Sequence, residues 1–152
     1  NEIPDIVLRT SLMVGFPGET KEQFEILKNF VREGLFDHVG VFRYSEEEGP
    51  ASSKFKDDVP LKEKDRRVET LYKQQQKIQE KLLKNWIGKT LSVLVEGFHP
   101  ETELLLKGRS YAQAPEIDNS VLINSGTADV GSLVSVKITG SVGLDLLGEI
   151  VS

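Results

Sequence analysis

The chain has 152 residues and a net charge of −5, a length that accommodates one domain or two small ones. Its apolar fraction of 38% is ordinary for a globular protein, and no apolar run approaches the ~20 residues of a membrane span, so we expect a cytoplasmic protein. The absence of cysteine excludes disulfides, thiolate metal sites and cysteine nucleophiles.

The first predicted element is a strand over residues 5–14. Its side chains are apolar and β-branched with few breaks, as in a strand buried on both faces of a parallel sheet. The sequence GFPG follows, and in it Pro17 and Gly18 favour a type II turn. Thr20 and Gln23 then have the spacing of a capping box, so a helix is predicted to begin there.

A second strand is predicted at 38–45, after the helix ends near Gly34. Strand, helix and strand with short connections form a βαβ unit, whose two strands must be parallel. One such unit cannot bury both faces of its sheet. We therefore expect the chain, which starts at Asn1 rather than at a methionine, to be a piece of a longer protein that supplies the remaining strands. An acidic loop is predicted at 46–53.

A long helix is predicted from Pro60 to Trp86, closed by Gly88. Its predicted buried stripe consists of Val68, Leu71, Tyr72, Gln75, Ile78, Leu82 and Trp86. Its basic residues on the other faces are Lys62, Lys64, Arg66, Arg67, Lys73, Lys77 and Lys81. We interpret these as a solvated helix surface because acidic residues are interleaved with them, and a nucleic-acid-binding face is the alternative.

The remaining residues, 88–152, predict a small barrel. Five short strand candidates lie at 89–97, 103–112, 120–124, 132–141 and 144–152. Five short strands in so few residues favour a closed, antiparallel barrel of the OB type. This part is acidic, with four basic side chains (Lys89, Lys107, Arg109 and Lys137) against eight acidic ones, whereas charges in residues 1–87 are nearly balanced.

Several of these segments together resemble the radical S-adenosylmethionine (SAM) methylthiotransferase family. They are LRTSLMVGFPGETKEQF, FDHVGVFRYSEEEGPAS, the helix that begins at DVP, and the final barrel, which is similar to the TRAM domain of those enzymes. The resemblance implies an α/β part followed by an all-β part. Residues 1–87 would be the C-terminal βαβ portion of a radical-SAM partial (β/α) barrel plus a long linking helix, and 88–152 a five-stranded antiparallel TRAM barrel.

Within this family, GRSYAQAPEIDNSVLIN at 108–124 is similar to the branch that methylthiolates an aspartate of a small-subunit ribosomal protein, S-twelve. The acidic barrel favours the same branch, because a basic ribosomal protein would be attracted and free RNA repelled. The implied partner is therefore that protein, either free or bound to the ribosome, with tRNA less favoured and no membrane.

The resemblance also implies SAM and two 4Fe-4S clusters in the whole enzyme. Such clusters are held by thiolates, so this chain should contain no metal site and no catalytic residue, and should be inactive alone. The implied SAM-binding residues are Arg9, Ser11, Val14, Gly15 and Tyr44. Four of them have an alternative: a buried polar network for Arg9, core and turn positions for Val14 and Gly15, and packing under the loop for Tyr44. Related enzymes often have Asp at the position of Ser11.

The implied substrate-binding residues lie on a strand-to-loop excursion of the barrel, where scaffolds usually carry such residues. They are Arg109, Tyr111, Pro115, Glu116 and Asp118. Glu116 and Asp118 would meet Lys or Arg of the ribosomal protein, and a simple turn is the alternative for either. Two other functions remain open, a tRNA-adenosine methylthiotransferase and a TRAM-type binding module without catalysis. The βαβ unit argues against the second of these.

Overall fold

The computed structural model describes residues 3, 5–45 and 58–151, and the predicted acidic loop at 46–53 lies outside them. The chain divides into two compact units, Asn1–Gln79 and Glu80–Ser152. Among the residues described, no helix is both long enough and apolar enough to cross a lipid bilayer.

The first unit contains the predicted βαβ motif. Strand β1 (Arg9–Val14) is followed by helix α1 (Lys21–Arg32) and strand β2 (His38–Arg43). The two strands are parallel, with Arg9 opposite His38 and Val14 opposite Arg43. The connectivity and the strand direction predicted from the sequence are confirmed.

The turn between β1 and α1 has the predicted geometry. The Glu19 N–H donates to the Phe16 carbonyl at 2.9 Å, and Gly18 has a φ of +81°, as the third residue of a type II turn requires. Thr20 and Gln23 form both hydrogen bonds of the capping box, at 3.2 and 2.9 Å. The chain therefore leaves β1 and enters α1 through a fixed bend.

Only one face of the β1–β2 sheet is buried among the described residues. The core on that face consists of Val14, Phe24, Val31, Val39, Val41 and Leu71. On the other face, Met13 and Phe42 are each 57% exposed, and Arg9 and Ser11 lie on the same side as Met13 because side chains alternate along a strand. Two strands and two helices bury one face only, as the single βαβ unit predicts.

Helix α2 (Leu61–Leu83) continues into a 3₁₀ turn, Lys84–Trp86, close to the predicted extent. Leu71 and Gln75 of the predicted stripe are buried, while Tyr72 is half-exposed. The interpretation of all basic residues as solvated surface is wrong for Lys64 and Arg67, which are buried. Lys64 lies about two turns and Arg67 about one turn before Leu71 on the same helical face, so both pack into the first unit with it.

The second unit is a closed five-stranded barrel. Its strands are β3 (Thr90–His99), β4 (Thr102–Arg109), β5 (Val121–Ser125), β6 (Leu133–Val142) and β7 (Asp145–Ile150), in the spatial order β3-β4-β5-β7-β6. The inward side chains form its core: Leu91, Val93, Val95, Leu106, Val121, Ile123, Val136, Ile138 and Leu146.

The prediction of an antiparallel barrel is wrong at one of its five strand pairs, because β5 and β7 are parallel. The reason is the strand order. β7 forms a hairpin with β6 and then lies beside β5, so the chain has reversed twice between the two neighbours and runs in the original direction. The other four pairs are antiparallel.

Candidate functional site

The residues predicted to bind SAM fall into two groups, one at the carboxyl ends of β1 and β2 and the other on the exposed face of β1. Val14, Gly15 and Tyr44 meet at the carboxyl ends of the parallel strands, where the Tyr44 N–H donates to the Val14 carbonyl at 2.8 Å. Arg9 and Ser11 lie on the exposed face, and Arg9 is six residues from Gly15, roughly 20 Å along an extended strand. One compact ligand cannot touch Arg9 and Gly15 at their backbones, and Val14 is 0% exposed and packs in the core on the face opposite Arg9 and Ser11.

Gly15 adopts a backbone conformation that other residues rarely take. Its φ is +73°, and its N–H donates to a carboxylate oxygen of Glu19. A Cβ built on Gly15 would collide with the side chain of Lys64, whose Cδ would lie 2.8 Å away. The side chain of Lys64 thus packs directly against Gly15, with no room for a Cβ between them.

Lys64 reaches the end of β2 from α2. The residue is only 2% exposed, and its Nζ donates to the Tyr44 carbonyl at 3.1 Å. The same ammonium lies 4.9 Å from the centroid of the Tyr44 ring, a cation–π distance. The Tyr44 ring also packs edge-to-face on Phe16, with 5.2 Å between centroids. Tyr44 is therefore held by its backbone and by its ring.

Arg67 reaches the turn after β1 in the same way. It is 3% exposed, and its Nη1 donates to the carboxylate of Glu19 at 2.7 Å and to the Glu19 carbonyl at 3.2 Å. Its Nε donates to Glu63 at 3.0 Å, and the guanidinium lies 5.2 Å from the centroid of the Phe24 ring. One carboxylate oxygen of Glu19 thus accepts from both Arg67 and Gly15.

We call Gly15, Glu19, Tyr44, Lys64 and Arg67 the strand-end cluster. Glu63 stands at its edge and receives two bonds of 2.7 Å from Arg66. These bonds lower the pKa of Glu63 from 4.5 to about 2, and Arg67 adds to the effect while partial burial opposes it. The carboxylate is consequently ionised at neutral pH and able to hold Arg67 in place.

Glu19, Lys64 and Arg67 were not among the predicted site residues. A signal was present, because Lys64, Arg67, Leu71, Gln75 and Ile78 recur at helical spacing and so share one face of α2. A cation that falls on the buried face of a helix requires a partner in the interior. For Arg67 that partner is Glu19, the acidic residue of GFPGE, which lies just before α1.

Among the predicted substrate-binding residues, Arg109 and Tyr111 contact their own unit. Arg109 ends β4, and its Nε donates to Glu96 of β3 at 2.7 Å, with both side chains about one third exposed. The ring of Tyr111 packs edge-to-face on Trp86, with 6.2 Å between centroids. Arg109 thus belongs to an ion pair and Tyr111 to an aromatic pair.

The loop after β4 has a fixed base and an exposed tip. The Asp118 carboxylate accepts from the Ala114 N–H at 2.7 Å, so it faces its own loop, as the turn alternative describes. Pro115, Glu116 and Ile117 are exposed, and Glu116 has a φ of +62°, uncommon for a residue with a side chain. Glu116 is thus the acidic residue that this loop presents to solvent.

Within the described ranges, no three His, Asp or Glu side chains converge into a group able to hold a metal ion. The sequence contributes no cysteine either. The groups that converge in the strand-end cluster are instead backbone amides, carbonyls, one carboxylate and two buried cations, which suit an organic, polar ligand better than a metal.

Known proteins are similar to both parts of the chain. The family model of the TRAM domain matches residues 87–151. A ribosomal protein uS12 methylthiotransferase RimO of Geobacter sulfurreducens is 51% identical over 151 residues, covering 99% of this chain and 34% of the relative. The protein of the same name from Bdellovibrio bacteriovorus is 50% identical over 149 residues, covering 98% and 33%. That of Chlamydia abortus is 42% identical over 152 residues, covering 99% and 33%.

The chain therefore spans about a third of the length of the curated relatives it matches. The similarity extends through both units and is not confined to the barrel. It confirms the resemblance read from the GFPGET and APEID segments: residues 87–151 carry the TRAM domain, and the chain as a whole is similar to part of the ribosomal protein uS12 methylthiotransferases.

Proposed function

We propose that this chain is part of a radical-SAM methylthiotransferase that adds a methylthio group to the β-carbon of an aspartate in ribosomal protein uS12. The observation that carries the proposal is identity of about half over nearly the whole chain to relatives named for that activity. The chain alone is inactive in this proposal, because it has no thiolate to ligate an iron–sulfur cluster. The two 4Fe-4S clusters are held by parts of the protein outside these residues.

Residues 1–87 are proposed as part of the wall of the SAM-binding barrel, and 88–152 as the domain that docks the substrate. When bound, SAM supplies the radical that removes hydrogen from an unactivated carbon, and the protein positions and shields it. Open α/β sheets bind ligands at the carboxyl ends of their strands, which here are Val14, Gly15 and Tyr44. Arg9 and Ser11 on the exposed face are the proposed contacts to polar groups of the cofactor.

The charge of the barrel supports a protein substrate. With four basic and eight acidic side chains, residues 88–152 would repel the phosphates of RNA and attract a basic ribosomal protein. Within the loop after β4, Glu116 is exposed and the Asp118 carboxylate is bonded to its own loop, so Glu116 is the better candidate for a contact with Lys or Arg of the substrate.

Because the proposed substrate is a ribosomal protein, we also propose that the protein works in the cytoplasm.

The docking proposal is tested by titrating the full-length protein with purified uS12 and, separately, with tRNA at several salt concentrations. Glu116→Lys should weaken uS12 binding. Glu103→Lys, an equal change of charge at an exposed position on β4, is the matched control and should have a smaller effect. Tight, salt-sensitive binding of tRNA without binding of uS12 would instead support the tRNA-modifying relative.

A further inference from the structure

Lys64 and Arg67 are the two buried charged residues within the described ranges. Leu71, one turn further along the same face of α2, is apolar, and a methionine at either position would fill the same space without the loss of hydration that a buried cation suffers. Stability alone therefore does not explain two cations one turn apart. What they contact indicates a different role.

Both cations end on the segments that leave the two parallel strands. Lys64 donates to the Tyr44 carbonyl at the end of β2. Arg67 holds Glu19, which in turn accepts the N–H of Gly15 at the end of β1. The strand ends are also joined directly, through the bond from the Tyr44 N–H to the Val14 carbonyl. One helix thus fixes the position of both strand ends through a hydrogen-bonded network.

We propose that Lys64 and Arg67 are positioning residues for the S-adenosyl ligand, acting through Tyr44 and through Glu19 and Gly15. The inference rests on the proposed function and deepens it. A ligand at the carboxyl ends of β1 and β2 meets backbone groups whose positions these two cations determine. A misplacement of about 1 Å at a binding site weakens its function up to a hundredfold, so loss of either cation affects the ligand even where the fold persists.

The test measures binding of S-adenosylhomocysteine, a stable probe, to the full-length protein by calorimetry, with thermal melting recorded on the same samples. Lys64→Met keeps the length and apolar stem of the side chain and removes its charge. We expect a modest fall in melting temperature, because the Tyr44 carbonyl loses a donor, together with binding weakened roughly tenfold or more. In turnover assays the KM for SAM should rise more than kcat falls.

A second variant addresses Arg67 without leaving a buried carboxylate unpaired. The double substitution Glu19→Gln and Arg67→Met removes both charges of the pair and should also fold and bind the probe more weakly. Lys73→Met is the matched control, since Lys73 is an exposed lysine of α2 that pairs with Glu69 at the surface, and it should bind like the wild type.

Each outcome separates this inference from the proposed function. A wild-type protein that does not bind the probe contradicts the proposed function itself. A wild type that binds, with Lys64→Met and the double variant folded and binding equally tightly, overturns the positioning role alone. Weakened binding in the two folded variants, with normal binding in Lys73→Met, supports it.

Discussion

Arg66 and Arg67 are neighbours on α2 that both bind Glu63, yet their substitution should have very different effects. Arg67 is 3% exposed and its second partner, the Glu19 side chain, is 13% exposed, so Arg67→Met leaves a carboxylate in the interior without its cation. Breaking a buried pair from one side costs about 3–5 kcal/mol. Glu19 keeps the Gly15 N–H as a donor, so we expect the lower end of that range, about 3 kcal/mol.

Arg66→Met is the matched control. The Arg66 side chain is 55% exposed, and an exposed ion pair typically contributes less than about 1 kcal/mol. Both substitutions introduce the same residue, and Arg66→Met removes two bonds to Glu63 whereas Arg67→Met removes one. A difference between them therefore reports the burial of Arg67 and its bond to Glu19.

Amide hydrogen exchange is the suitable assay because it measures opening of the first unit separately from the barrel. A loss of about 3 kcal/mol raises exchange of β1 and α1 amides by roughly a hundredfold, since about 1.4 kcal/mol corresponds to a factor of ten. Adding Glu19→Gln to Arg67→Met should restore part of the protection. Equal exchange in Arg66→Met and Arg67→Met would refute the reasoning.

Three further predictions follow from individual contacts. The pKa of Glu63 is lowered from 4.5 to about 2, so its bonds to Arg66 and Arg67 stabilise the fold above pH 4.5 and are lost as the pH falls toward 2. Glu63→Gln should remove about 1 kcal/mol of that pH dependence when the free energy of unfolding is measured against pH. Parallel curves for the variant and the wild type would contradict this. Thr20→Ala removes the capping box and should lower the stability of α1 by about 1 kcal/mol, seen as faster exchange in its first turns but not in β7. Val136→Ala in the barrel core should lower the free energy of unfolding, measured by urea denaturation, by about 2 kcal/mol. Leu104→Ala, at a residue 88% exposed, should lower it by less than about 0.5 kcal/mol. Similar losses in the two variants would place the core elsewhere.

Elements set by local chemistry were predictable from the sequence. The capping box at Thr20 and the turn at Gly18 depend on residues within a few positions of one another, and both have the expected geometry. The parallel direction of β1 and β2 follows from the short helical connection between them. The number of barrel strands was also predictable, because turn residues separate five short strand candidates.

Features that depend on the spatial order of distant segments were not predictable. The parallel pairing of β5 with β7 requires knowing that β7 lies between β5 and β6, which no pattern within these strands encodes. The bond between Arg109 and Glu96 likewise depends on the β3–β4 register, which contains two irregularities. Sequence patterns locate strands well and their neighbours poorly.

The buried cations of α2 were mispredicted for a different reason. The acidic residues interleaved along α2 favour a solvated surface, and the sequence pattern therefore places Lys64 and Arg67 there. Their partners, the Tyr44 carbonyl and the Glu19 carboxylate, lie 20 and 48 residues away in the chain. Helical spacing alone places Lys64 and Arg67 on the face of Leu71. A cation with that spacing is expected to have a partner in the interior.

The most direct test of the proposed function is mass spectrometry of uS12 after reaction with the full-length, cluster-loaded protein, SAM and a reductant. The account predicts that one aspartate of uS12 gains the mass of a methylthio group in place of a hydrogen, and that the 152-residue chain alone gives no product. An unmodified uS12 alongside a methylthiolated adenosine in tRNA would contradict it.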